Sequence, residues 1–313
     1  MVKFIVRRII ATLPILAVVG VIVFLLLHLT PGDPAVIMAG DHASSEDIER
    51  IRGQLGLNEP LIIQFALWAG RILVGDLGTS IFSGLPVATL IYQRLEPTLS
   101  LALVTLILAL PIAVLLGVVA AAFAGRLADR LIMIFAVAGF STPVFVLGYA
   151  FVYFFALKWQ LLPVQGFVSV RAGIQPFLRS IILPAATLGV VYLALIARIT
   201  RASMLEVIGE DFVRTARAKG ATESRVLLGH VLRNAAVPVV TMIGISVALL
   251  LSGSIIVESV FNLPGVGRLL MDAVLKRDYP LVQGIVLFFS VTYVLVNVVV
   301  DLLYAFLDPR IRY

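Results

Sequence analysis

DFVRTARAKGATESRVLLGHVLRNAAVP, residues 211–238, is a charged and largely basic island between two apolar stretches. Burying residues 206–225 in lipid would place Glu206, Glu210, Asp211, Arg214, Arg217, Lys219, Glu223 and Arg225 in hydrocarbon. At about 2.5 kcal/mol each the cost approaches ~20 kcal/mol, so the segment stays in water. Its spacing is helical all the same. Met204, Ile208, Phe212 and Ala216 recur every four residues, and Glu210 precedes Arg214 in the favourable order. Gly220 supplies a helix stop, Thr222 is placed to cap a second helix, and Val226, Leu227 and Val231 give that helix its own apolar face. The pattern predicts a helix-turn-helix hairpin over 203–233. By itself it fits two roles, a positively charged connecting loop or a docking element for a partner.

The rest of the chain explains why such an island is unusual. Of 313 residues, 61% are hydrophobic and 13% charged, and mean hydropathy is +1.09, beyond what a soluble core requires. An all-α integral membrane protein is expected. A membrane helix needs roughly 20 apolar residues, and six segments qualify: Ile9–Leu29, Thr98–Ala124, Leu131–Leu157, Ile181–Thr200, Asn234–Val257 and Leu281–Leu307. The fourth requires Pro184 to fall in an early helical turn. The first, preceded by Lys3, Arg7 and Arg8, is too long for a signal-peptide core and reads as a retained anchor over 1–30. With the N-terminus inside, residues 1–8, 125–130, 198–233 and 307–313 carry 14 of the 24 Lys and Arg residues, at roughly threefold the density of the outside segments. Both termini and the island are therefore expected in the cytoplasm. The net charge of +6 follows from the same bias, and no basic stripe with interleaved aromatics suggests nucleic acid.

Residues 31–97 form an external insert between the first two spans, and 98–313 the core. Within the insert, SSEDIERIRGQLG (44–56) reads as a short helix, capped by Ser44 or Ser45 and ended by Gly56. LIIQFALWAGRILVG (61–75) is apolar but too short to span, and reads as an interfacial or packed amphipathic helix.

RTARAKG followed by a second helix resembles the EAA loop of inner-membrane subunits of binding-protein-dependent ABC importers. Ala216 and Gly220 agree with that motif, Arg214 and Thr215 stand where it has Glu and Ala, and its later I-x-L-P becomes His230, Val231, Leu232 and Arg233. LTPGDPA, GDLGTSIFSGLPV, FNLPGVGRLLMDAVLKRDYPLVQG and the terminal LDPRIRY occur in the order shown by the oligopeptide/dipeptide permease branch. The chain is thus similar to the first of two permeases in such systems. The resemblance implies a type I ABC importer permease fold in a bacterial-type inner membrane and uptake of dipeptides or oligopeptides. Nickel, glutathione and oligosaccharide carriers share these patterns. It also implies a homologous second permease, an extracytoplasmic binding protein, and two ATP-binding cassette subunits that bind ATP and Mg. The hairpin would dock on an ATPase subunit through Asp211, Arg214, Thr215, Ala216, Arg217, Lys219, Gly220 and Ala221.

The chain contains no G-x-x-x-x-G-K-[ST], so it has no phosphate-cradling loop of its own, and no cofactor is expected on it. Cysteine is absent, and His28, His42 and His230 form no H-E-x-x-H, which argues against a metal site. Without G-x-S-x-G, and with Asp129 and Asp301 near span ends, an intramembrane hydrolase is a remote alternative. Thr105, Ser141, Thr142, Tyr293 and Asn297 are candidates for a translocation path, because polar groups at membrane depth avoid lipid; interhelical hydrogen bonding is the simpler role. Pro111 and Pro143 are expected to kink their helices.

Overall fold

A computed structural model describes residues 2–29, 35–36, 44–54 and 56–307. Most of LTPGDPA, His42 and all but the first residue of LDPRIRY lie outside the described residues, as do the side chains of His28 and Asp301. The described chain is helical and contains no strand; one isolated bridge joins Thr79 and Pro86. In order, the helices are α1 (Val2–Leu29), α2 (Ser45–Gln54), α3 (Leu61–Leu73), α4 (Val87–Ala122), α5 (Leu127–Ser141) and α6 (Val144–Phe151). They continue as α7 (Ile174–Ile208), α8 (Asp211–Ala218), α9 (Glu223–Asn234), α10 (Ala236–Val260), α11 (Val266–Lys276) and α12 (Tyr279–Leu307). A π-helical turn, Val152–Lys158, extends α6, and another, Val226–Val231, lies within α9.

Among the described residues α4, α7 and α12 are long and apolar enough to cross a membrane. Counting each bent pair as one span gives up to five. In the first pair, α5 and extended α6 meet at 105°. Thr142 is extended (ψ 125°) because the residue before a proline is pushed out of the α region, and Pro143 then opens the next helix. Pro143 thus breaks the expected Leu131–Leu157 helix in two, whereas α4 runs through Pro97 and Pro111 without interruption. Pro184 is likewise interior, since α7 starts at Ile174; a neighbouring helix environment tolerates it. α4 begins at Val87, well before Thr98.

The contacts divide the chain into two compact units, residues 1–95 with 269–295, and residues 96–268 with 296–313. In the first, Phe24 of α1 packs against Phe65 and Trp68 of α3, with ring centroids 5.4 and 5.7 Å apart. The Gln283 amide donates to the Val23 carbonyl at 3.0 Å. Buried Asp278 accepts from the Ser80 hydroxyl (2.5 Å) and from the Ile81 and Leu281 amides, fixing the GDLGTS turn to the start of α12. In the second unit α7 is the central helix, packed by α5, α6 and α10. Its core holds Leu101, Ile181, Leu188, Ile196, Leu250, Phe261 and Leu263. Where lipid removes the hydrophobic incentive to pack, small residues let backbones approach. A Cβ on Gly117 would lie 2.5 Å from Thr200, and one on Gly244 only 2.4 Å from Val300.

Candidate functional site

The island folds as two helices joined by a tight turn. α7 ends at Ile208, and Gly209 and Glu210 separate it from α8, so the four-residue ladder Met204–Ala216 does not lie on one helix. Restarting the helix rotates the face. Val213 is the buried residue of α8, while Phe212, expected inside, is 43% exposed. Val213 joins Met204, Val118, Ala121, Val226, Val231 and Ala235 in a separate apolar cluster, with Ala216, Ala221 and Leu227 against it. Dispersion within this cluster holds the hairpin to the ends of α4 and α7.

The turn is a Schellman motif. The Ala221 amide donates to the Ala216 carbonyl (3.2 Å) and the Gly220 amide to the Arg217 carbonyl (2.9 Å), which satisfies carbonyls left over at the end of α8. The geometry requires a left-handed residue, and Gly220 has φ +80° with open space where a Cβ would stand. Thr222 occupies the N-cap position of α9 with extended backbone, but its hydroxyl makes no capping bond, contrary to its expected use.

Asp211, Arg214, Thr215, Arg217, Lys219 and Gly220 are exposed, and Ala216 and Ala221 are half-buried. Arg217 bridges the turn by donating to Glu223 at 2.8 and 3.3 Å. Arg214 lies 3.5 Å from Asp211, and the Thr215 hydroxyl donates to the Asp211 carbonyl. Lys219 and Arg225 have no ion pair among the described residues. The result is a solvated, mixed-charge surface on a hairpin anchored by its apolar cluster. Among the described residues no cluster of three or more His, Asp or Glu is placed to hold a metal.

The candidate path residues have diverse settings. Thr105 is fully buried and its hydroxyl donates across to the Ala185 carbonyl of α7 at 3.5 Å. Ser141 and Thr142 sit at the sharp bend, where the Thr142 hydroxyl donates to the Ala138 carbonyl at 2.7 Å. Tyr293 is about half exposed in the first unit, and Asn297 is half-buried in the second.

Two polar nodes of the second unit escaped the reading of the sequence. Arg201, just beyond the Thr200 end of the expected span, donates to both oxygens of buried Asp129 at 2.5 and 2.7 Å, and the Gly125 amide adds a third bond. Glu258, fully buried, accepts from the Thr98 hydroxyl (2.6 Å) and the Arg268 amide (2.9 Å). Thr98 in turn accepts from the Val266 amide, so a carboxylate and a hydroxyl together satisfy the start of α11. The FNLPGVGR glycines were the available signal: a Cβ on Gly265 would lie 2.3 Å from the Glu258 carboxyl carbon.

Residues 113–313 match the family described as binding-protein-dependent transport system inner membrane component, and residues 1–102 match its N-terminal membrane-component family. A relative from Sinorhizobium fredii, described as a probable peptide ABC transporter permease protein, is 50% identical over 310 residues, 99% of each chain. The glutathione transport system permease protein GsiC of Escherichia coli K12 is 45% identical over the full length of both. A solved structure of the MetNI methionine ABC transporter in inward-facing conformations aligns with TM-score 0.51 and 18% identity. That alignment covers 71% of this chain and 96% of the other, and shows likeness of fold.

Proposed function

The chain belongs to the inner-membrane permeases of the binding-protein-dependent peptide ABC importer family, and on that premise we propose that it takes up short peptides through a hairpin-driven change of access. In this reading an extracytoplasmic binding protein delivers the dipeptide or oligopeptide. The chain pairs with a homologous second permease, crosses the inner membrane six times with both termini in the cytoplasm, and contains no catalytic site. Two ATPase subunits bind ATP and Mg, and one of them seats residues 203–233. The observation that carries the proposal is the Schellman turn at Gly220, which presents Arg217 and Lys219 to water while Val213, Val226 and Val231 anchor both hairpin helices. A push on such an element is passed to the ends of α4 and α7 as a rigid-body displacement.

A second cargo is favoured by one specific observation, the full-length similarity to glutathione permeases. Glutathione is itself a small peptide, so both readings use one class of path. Sequencing the ligand that co-purifies with the cognate binding protein separates them. Docking is tested by cysteine crosslinking in inner-membrane vesicles. Arg217→Cys and Ala221→Cys should each crosslink to an ATPase subunit, and labelling of both sites only from the external side would overturn the reading.

A further inference from the structure

α3 is apolar yet buries none of its residues, with Leu61, Ile62, Leu67 and Leu73 all more than half exposed. At 13 residues it is too short to span, and its apolar surface suits the lipid interface. Beside it, within the first unit, lies a cavity of about 290 Å³ lined by Phe24, Trp68, Arg71, Asp76, Tyr279 and Gln283 among others. Some of its polar groups are already committed: the Gln283 amide donates to Val23, and Asp76 Oδ1 accepts from the Gly78 amide at 2.9 Å. Three are not. Among the described residues Arg71 has no ion pair, Asp76 Oδ2 has no hydrogen-bond partner, and the hydroxyl of Tyr279, a residue only 8% exposed, is unpartnered.

A buried hydroxyl left without a partner is costly, and the exposed Arg71 and Asp76 side chains, which line the same cavity, offer one charge of each sign to a ligand that carries both an anion and a cation. We propose that this cavity is a headgroup site for a phospholipid carrying both a phosphate and an ammonium group. Arg71 takes the phosphate, Asp76 the ammonium, and the acyl chains run over the exposed Leu67 and Leu73. The volume, at the small end of the range for ligand pockets, suits a headgroup. A free zwitterion such as a dipeptide offers the same charges but leaves the apolar surface of α3 uncovered. The inference rests on the membrane placement of the chain and is independent of its cargo.

The chain has two tryptophans, so Trp159→Phe leaves Trp68 as the sole reporter. In detergent at low lipid-to-protein ratio, phosphatidylethanolamine brominated near its carbonyl end should quench Trp68. Losing one charge-assisted bond should weaken that binding about tenfold in Arg71→Gln and in Asp76→Asn, whereas Arg71→Lys should largely retain it. Equal quenching by brominated phosphatidylglycerol, displacement by free dipeptide, or indifference to both neutralising substitutions would overturn the proposal. Uptake plays no part in this assay, so its failure would leave the transport reading standing.

Discussion

The two ends of α10 handle charge in opposite ways. At one end the helix continues from the hairpin, whose acids and bases stand in water, paired in solvent or not at all. At the other end Glu258 is out of solvent, with each contact supplied by a neighbouring donor. Exposed pairs contribute little to stability and leave their side chains able to change partners, whereas a buried carboxylate is stable only while its donors stay in place. The hairpin therefore leaves its charges free to change contacts, and the Glu258 node does not.

The sharpest way to break this comparison is at the node. Gly265→Val would force a side chain into the Glu258 carboxylate, and a loss of more than about 4 kcal/mol is expected, read as failure to recover folded protein from membranes. Asp129→Ala should follow at roughly 3 kcal/mol, because it strands Arg201, which is itself 27% exposed; thermal unfolding in detergent would register it. Gly220→Val should cost about 1–2 kcal/mol from the left-handed backbone alone, since no atom crowds the site. Its distinguishing effect would be ATP hydrolysis that continues without uptake in proteoliposomes, while Gly220→Asn, which tolerates that conformation, should retain coupling. Smallest is Glu223→Gln, expected to change stability by less than about 1 kcal/mol because Arg217 and Glu223 are both exposed. If it matched Asp129→Ala in the same melt, the hairpin would be architectural and the contrast would fail.

The uneven legibility of the sequence has the same physical origin. The hairpin could be read because charge cost and a helix-stopping glycine are local signals, and Gly220 indeed takes φ +80°. A four-residue ladder that places Phe212 inside assumes an unbroken helix, and the extended backbone at Glu210 (ψ 149°) interrupts it. Along Leu131–Leu157 almost every position is apolar, so periodicity carries no information and only Pro143 marks the bend. The Asp129–Arg201 and Thr98–Glu258 pairs join residues 72 and 160 positions apart, which no local pattern encodes. Polarity alone marks the path candidates, and at Thr105 and Thr142 that polarity serves bonds to helix carbonyls.

α7 carries a mechanical consequence. Its 35 residues form one unbroken rod, about 52 Å long at 1.5 Å per residue, against a hydrocarbon layer of about 30 Å. A helix longer than the layer it crosses, continuous through Pro184 to Ile208, can act as a lever arm. A tilt of a few degrees applied near the hairpin reappears at the far end as a shift of several ångströms, with no need for a relay of side-chain rearrangements between them.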